Sequence, residues 1–380
     1  MRTLCIAAIA ILAGCGGSQP PIGATGGPLV PDSRSSGFRV LARFDQRDGE
    51  YPTGLMVFRK HVYGTTAIGG ADERGVLYEV SADGHIKLLY SFNGDDGSAP
   101  TPPTADRSVL YGTTGSGGYE GYGSIYKYAN GLLTNLADFP GSPSGGAYPN
   151  GLTLLNGSLY GTTRGGGSSA GGTVFELTAS GIKTIYNFLN NGQDGLEPTA
   201  ALTACGGVLY GVTNAGGAYK VGTAYKITTS GQESVIYNFG EGYYDARSPV
   251  GALVKVNGNF YGATYSGGQS DSGTVFEISP SGKERVLHSF SYESAGMPDA
   301  GLLYLNGRLY GTTSAEGGSE GGTIFSLTPS GTKMQVLHNF GSFLGAKGSA
   351  STLVALDGAL YGTAGEAGRL EYGALFRLRL

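Results

Sequence analysis

The dipeptide Tyr-Gly returns seven times, at Tyr63, Tyr111, Tyr160, Tyr210, Tyr261, Tyr310 and Tyr361, usually followed by Thr-Thr or a close variant. Successive copies lie 48 to 51 residues apart. A second marker follows each copy after 15 residues, an aromatic three places beyond a glycine: Tyr78, Tyr126, Phe175, Tyr225, Phe276, Phe325 and Phe376. Between the markers glycine holds two fixed places in every copy. The first is filled by Gly70, Gly118, Gly167, Gly217, Gly268, Gly317 and Gly368, the second by Gly75, Gly123, Gly172, Gly222, Gly273, Gly322 and Gly373. Self-similarity at a fixed period marks a repeat architecture. A unit of about fifty residues cannot bury a core alone and has to stack on its neighbours. One continuous body therefore replaces the two or three domains that 380 residues would ordinarily suggest.

Glycine numbers 70 and proline 16, a content that without periodicity would read as low complexity. Here the glycines are periodic and alternate with apolar, β-prone runs, so the chain reads as folded. A formal net charge of −4 argues against a nucleic-acid partner. With 14% of residues charged, long-range steering of a ligand is weak.

The third copy shows the unit most fully. Gly151 to Leu155 reads as a short strand, Asn156-Gly157 as a tight hairpin turn, and Leu159 to Thr163 as the second strand. A glycine-rich loop leads to a third strand, Thr173 to Thr178, and after Ala179-Ser180-Gly181 to a fourth, Lys183 to Phe188. No stretch of twelve residues carries a helical period. Apolar groups fall on both faces of the third and fourth strands, as packing between two neighbours requires. The expected fold is all-β: a seven-bladed β-propeller with four antiparallel strands per blade. The last copy stops after its third strand, while residues 38–44 match a fourth strand with nothing before it. Joining them completes the last blade and closes the ring, which removes open sheet edges.

Residues 1–15 read as an export signal: Arg2, then an apolar run from Leu4 to Ala13 that is too short to span a bilayer. The run ends in Leu12-Ala13-Gly14-Cys15, which resembles a bacterial lipobox, with the Cys15 thiol as the nucleophile that takes the lipid. An ordinary secretory signal with an incidental cysteine is the alternative. Residues 16–37, rich in Gly, Pro and Ser, form a tether. Residues 38–380 form the propeller. The expected place is extracytoplasmic, lipid-anchored through Cys15 in the cell envelope, at the outer membrane in a Gram-negative cell because no aspartate follows the cysteine.

Leu-Tyr-Gly-Thr-Thr, a Gly-Gly pair, Gly-Thr-Val-Phe-Glu-Leu, Ser-Gly and a closing Asn-Phe together resemble the GloVer-type tandem repeat of choice-of-anchor tandem repeat proteins. The resemblance covers nearly everything from Phe38 to Leu380. It implies a bacterial extracytoplasmic repeat protein whose anchor differs among members, here Cys15. It implies no reaction and no catalytic residues. The seventh copy departs, with Thr363-Ala364 and a single Gly368 in place of the pair.

The Gly-Gly loops and the connections from fourth to first strand are expected at one end of every blade. Constant spacing makes the Gly-Gly loops architectural; a phosphate cradle is disfavoured, since no helix start and no Lys-Ser/Thr pair follows. Asp48-Gly49, Asp96-Gly97 and Asp194-Gly195 each precede a proline by the same step. Asn93, Asp95 and Asp96 together raise calcium, but no loop supplies a full set of oxygen ligands, and Asp-Gly is a usual turn pair. No metal and no cofactor are expected. His288 and His338 stand where Tyr90, Tyr186 and Tyr237 stand in other copies and read as packing residues; His61 and His85 sit beside turns. Cys205 is the one cysteine of the repeat body and falls where Leu155 and Leu305 stand, so it reads as a small buried hydrophobe.

Tyrosine is the remaining signal. The seven repeat tyrosines read as core. Loop tyrosines gather on the shared end, and Tyr119, Tyr122, Tyr219, Tyr243, Tyr244 and Tyr265 are the candidate ligand-binding residues. A flat apolar ring with a polar tip suits a sugar or a protein partner; the alternative is loop packed on loop. The expected function is a non-catalytic binding module for a glycan or protein, acting as a monomer, with a structural spacer as a third possibility. The alternative is a polysaccharide lyase or hydrolase, or a quinoprotein-like oxidoreductase. An enzyme needs a copy that breaks pattern to place catalytic groups, and the acids Asp95, Asp245, Asp271 and Glu320 are scattered among different units.

Overall fold

The computed structural model describes residues 37–81, 84–291, 296–315, 321–340, 351–365 and 372–380. The leader, Cys15 and the tether up to Ser36 lie outside the described residues, as do Gly317, Gly368, Tyr292 and Glu320.

Seven antiparallel sheets make seven blades. Blade three runs Gly146–Leu155, Ser158–Gly166, Thr173–Thr178, Gly181–Asn187 in consecutive order from inside to outside. Blade seven is completed by the strand Phe38–Arg43, which pairs antiparallel with Ala374–Arg379. The ring closes where the sequence places the closure.

The Tyr-Gly marker has a steric cause. Gly161 is the Cα partner of Phe175 across the second and third strands. A Cβ on Gly161 would stand 2.4 Å from the Cζ of that ring. The same pairing recurs from Gly64 with Tyr78 to Gly362 with Phe376. The aromatic of each third strand lies across the glycine of the second, and this fixes the spacing of 15 residues.

Three contacts repeat from blade to blade, two of them stapling a blade to the next. The phenylalanine after each outer strand, from Phe44 to Phe340, is at most 4% exposed. Its ring meets the third-strand aromatic of the next blade at centroid distances of 5.0 to 5.3 Å. Its N–H donates to the carbonyl of the second marker glycine of its own blade at 2.9 to 3.1 Å. That glycine must also admit the proline of the next blade's first strand: a Cβ on Gly172, where φ is +94°, would stand 2.7 Å from Pro198 Cδ.

The first strand differs from the sequence reading. It begins at Gly146 and passes through Pro149, with a register shift between Pro149 and Leu152. In blades two, four and six the interruption splits it in two, as in Ser98–Pro100 and Thr104–Asp106. Proline cannot donate to a ladder, and a bulge is where a strand tolerates one. The proline lies within the strand because it packs between blades. The repeat tyrosines also need correction. Tyr160, Tyr261, Tyr310 and Tyr361 are buried, but Tyr63, Tyr111 and Tyr210 are only partly so. The buried Tyr261 keeps its hydroxyl satisfied by donating to Glu277 Oε1 at 2.8 Å.

Among the described residues no helix is long and apolar enough to cross a membrane.

Candidate binding face

Both loop classes, the constant Gly-Gly loops and the varying connections, emerge at one end of the ring and are tied together there. Gly70 N–H donates to Gln46 O at 2.9 Å and Gly118 N–H to Gly94 O at 2.9 Å, joining a Gly-Gly loop to the connection that enters its blade. At Gly166, φ is +77° and a Cβ would stand 2.6 Å from the Ala147 nitrogen, so the glycine pair serves close backbone approach.

Around the axis of this end runs a ring built on the first-strand prolines. The residue before each one, Tyr51, Ala99, Tyr148, Glu197, Ser248 and Met297, has φ between 53° and 58°. Positive φ is uncommon outside glycine and costs energy that surrounding structure must offset. The offset is visible: each of these N–H groups donates to a carbonyl of the preceding blade at 2.7 to 3.0 Å. The residue after each proline faces the next blade. Thr53 Oγ1 donates to Pro100 O at 2.9 Å and Asn150 Nδ2 to Pro198 O at 2.9 Å.

Blade six places Asp299 at this position, where other copies have Thr53, Thr101, Asn150, Thr199 and Val250. Its Oδ1 is buried without a hydrogen-bond partner, and burial pushes the carboxyl up to about 7. Sequence reading overlooked this departure. Aligning the copies on proline, instead of on Tyr-Gly, would have exposed it.

The connections are shaped by an alliance that the sequence reading kept apart. The tyrosine two places before the closing phenylalanine donates its hydroxyl to the aspartate of the following loop. Tyr186 reaches Asp194 Oδ2 at 2.7 Å and Tyr237 reaches Asp245 Oδ2 at 2.8 Å; Tyr90 does the same with Asp96. The carboxyl oxygens also accept backbone N–H groups, from Leu189 at 2.8 Å and from Gly240 at 2.7 Å. Burial, reinforced by these bonds, raises the Tyr186 and Tyr237 hydroxyls above their ordinary range. The aspartates thus form turns. Among the described residues no group of three or more His, Cys, Asp or Glu could hold a metal ion.

The candidate tyrosines divide. Tyr122 packs: its ring meets Tyr148 edge-on at 6.1 Å and covers Gly141. Tyr119, 88% exposed, stands on the Gly-Gly loop of blade two. Tyr243 and Tyr244, 83% and 58% exposed, meet edge-on at 5.0 Å in the connection from blade four to five. Tyr219 comes beside that connection, since a Cβ on Gly240 would stand 3.3 Å from its own Cβ. Tyr265, also exposed, follows the Thr of blade five's second strand. Tyr51 and Tyr148 are also exposed at this end, each next to a first-strand proline. Arg164 and Glu197 meet at 3.4 Å between blades three and four. A shallow hollow lined by Asp106, Lys127, Leu136 and Thr178 opens elsewhere, on the turns of blades two and three, without contact to these tyrosines.

The histidines pack as expected. His338 stacks on Phe38 at 3.6 Å, His288 meets Phe290 edge-on, and burial lowers both imidazoles. His61 Nδ1 pairs with Glu79 at 2.5 Å. Cys205 is buried, with the Lys255 ammonium 2.5 Å from its sulfur.

The family model described as Gloeobacter/Verrucomicrobia repeat matches residues 31–224 and, in an overlapping second match, 197–380. No curated protein matches the chain. Among solved structures, a puromycin-hydrolysing peptidase of Mycobacterium tuberculosis is similar with TM-score 0.55 and 12% identity, over 92% of this chain and 53% of that one. A prolyl endopeptidase gives TM-score 0.47 and 12% identity over 87% and 50% of the two chains. A structure from the nidogen/laminin complex gives 0.41 and 15% over 67% and 84%. The chain spans about half the length of either peptidase. At such identities the likeness concerns the fold alone.

Proposed function

The chain belongs to the Gloeobacter/Verrucomicrobia repeat family, and from that premise we propose that its propeller is a non-catalytic module that binds a carbohydrate on the loop-bearing end. The observation that carries this reading is the Tyr243–Tyr244 pair, exposed and set edge-on at 5.0 Å, with Tyr219 beside its loop. Tyrosine offers large rigid area at low entropic cost and a hydroxyl at the tip, which suits a ring that is apolar on its faces and polar at its rim. Loops carried on a rigid scaffold are a usual place for recognition. In the same proposal the protein is exported, lipidated at Cys15 and held as a monomer in the cell envelope by residues 16–37; the lipobox at Leu12 to Cys15 supports this.

The test is a screen of residues 38–380 against bacterial and plant polysaccharides, with products followed in the same wells. Saturable binding without turnover, weakened by Tyr243→Ala, is the expected result. Turnover would overturn the reading in favour of an enzyme, and silence would turn it toward a protein partner. Labelling with radioactive palmitate, lost in Cys15→Ala, checks the anchor.

A further inference from the structure

The residue six places before each closing phenylalanine sits at the start of the outer strand. It packs against the preceding blade's outer strand, near the residue two places before that blade's phenylalanine. Phe38 on His338 shows the register directly, with rings 3.6 Å apart. The position is apolar in five blades, as Ile86, Leu133, Ile182, Met334 and Phe38. In blades four and five it is Glu233 and Glu284.

Both glutamates therefore enter a seam built for hydrocarbon, and both meet the Tyr-Asp alliance of the preceding blade. Glu233 Oε2 lies 3.5 Å from the Tyr186 hydroxyl, which already donates to Asp194 at 2.7 Å. Glu233 Oε1, Asp194 Oδ1 and Glu284 Oε1 are buried without hydrogen-bond partners. A buried carboxylate beside another carboxylate is costly, and protonating one of the two relieves the cost.

The seam of blades four and five bears on the binding loop. Asp245 Oδ2 accepts the N–H groups of Gly240 at 2.7 Å and Glu241 at 2.9 Å together with the Tyr237 hydroxyl, and Oδ1 accepts Ala246 N–H at 2.8 Å. This one carboxyl thus fixes both ends of the short connection that carries Tyr243 and Tyr244. Facing Glu284 are Asp245 and Tyr237 from the preceding blade, with Glu241 acting on Tyr237, and Arg285 from its own strand. The Arg285 guanidinium is engaged by Glu277 at 2.6 Å.

We infer that Glu284 is a proton-dependent clasp for the Tyr243–Tyr244 loop: with its proton the seam carries the Asp245 charge alone and the loop is held by Asp245, and without it the paired charges loosen the loop. The inference rests on the loop being the binding site only for its consequence, a ligand affinity that falls as pH rises. Burial, aided by the Asp245 charge, pushes the Glu284 carboxyl from its ordinary 4.5 up to about 8, so the loosening sets in above the lower value and is complete above the higher one.

Amide hydrogen exchange of the peptide 240–246, compared between the full-length chain and its Glu284→Gln variant at each pH, tests this. The two peptides are identical in sequence, so intrinsic exchange chemistry cancels. Equal rates are expected at about pH 4, below the ordinary carboxyl value, with the unsubstituted chain at least about fivefold faster by about pH 9. The peptide 93–97, whose seam carries Leu133, should show no difference at either pH. If Glu284→Gln does not fold, Glu284→Met, which copies Met334, serves in its place. A rate ratio that stays flat across the range overturns the inference. Exchange requires no ligand, so a polysaccharide screen that fails at every pH, beside a ratio that changes, removes the carbohydrate reading and leaves the clasp.

Discussion

Gly161 lies beneath the ring of Phe175, its direct Cα partner, with no room for a methyl group: a Cβ would stand 2.4 Å from Phe175 Cζ. Gly161→Ala should therefore overpack blade three and lower stability by about 1–3 kcal/mol, read as a lower urea midpoint at unchanged slope. Combining it with Phe175→Leu should cost less than the two changes added together, because the smaller side chain vacates the space. Strict additivity in that cycle would show that the contact does not set the spacing.

The N-terminal strand should matter to the whole ring. Phe44 donates its N–H to Gly373 O at 3.1 Å and sets its ring 5.3 Å from Tyr78 in blade one, so residues 38–44 join blade seven and blade one. Phe44→Ala should cost about 3–5 kcal/mol, the usual range for emptying a buried aromatic site. Residues 45–380 should lose the single cooperative transition of residues 38–380, since removing the strand reopens an edge in a closed ring. A truncated body that melts like the longer one would show that closure contributes nothing.

The periodic part of this architecture was legible because sterics wrote it into the sequence. Gly161 and Phe175 must keep their spacing, and Phe188 must close the outer strand so that it reaches Tyr225. The path of the first strand was less legible. Pro149 reads locally as a breaker, and only the neighbouring blade, where it packs on Gly123, explains its place inside a strand. The Tyr237–Asp245 bond was hidden for a related reason. Each residue has an adequate local explanation, packing for one and a turn for the other, and their meeting depends on how the loop folds back. Asp299 and Glu284 were visible as substitutions at fixed offsets, but what they disturb becomes clear only from the seams they enter.

Stability should fall as pH rises through neutrality. Burial, with Asp194 and Asp245 as neighbouring charges, raises Glu233 to about 7 and Glu284 to about 8, and burial raises Asp299 to about 7. A carboxyl whose pKa is higher in the folded state holds its proton more tightly there than in the unfolded chain. Its contribution is fully present below the unfolded values of 4.5 for Glu and 3.8 for Asp and is lost as pH climbs through the raised values. A drop in Tm of about 5 °C or more between about pH 5 and pH 8.5 is expected. The triple variant Glu233→Gln, Glu284→Gln, Asp299→Asn should flatten that slope. A Tm that rises over this window would contradict the sign of all three shifts.

Two tyrosines from the same end of the ring should respond oppositely to removal. Tyr122 meets Tyr148 at 6.1 Å and covers Gly141, so Tyr122→Ala should lower the urea midpoint, and any loss of ligand affinity should follow that loosening. Tyr243, 83% exposed, contributes little burial to the fold, and Tyr243→Ala should leave the midpoint within about 0.5 kcal/mol of the parent. Its cost should appear in binding, at about 1–3 kcal/mol if the ring stacks on a sugar as aromatic contacts elsewhere do. Measuring the midpoint and the affinity of each variant side by side separates a packing tyrosine from a recognition tyrosine. If Tyr243→Ala leaves both quantities unchanged, the exposed pair in the connection from blade four to five is not where the ligand binds, and Tyr119 and Tyr265 become the positions to change next.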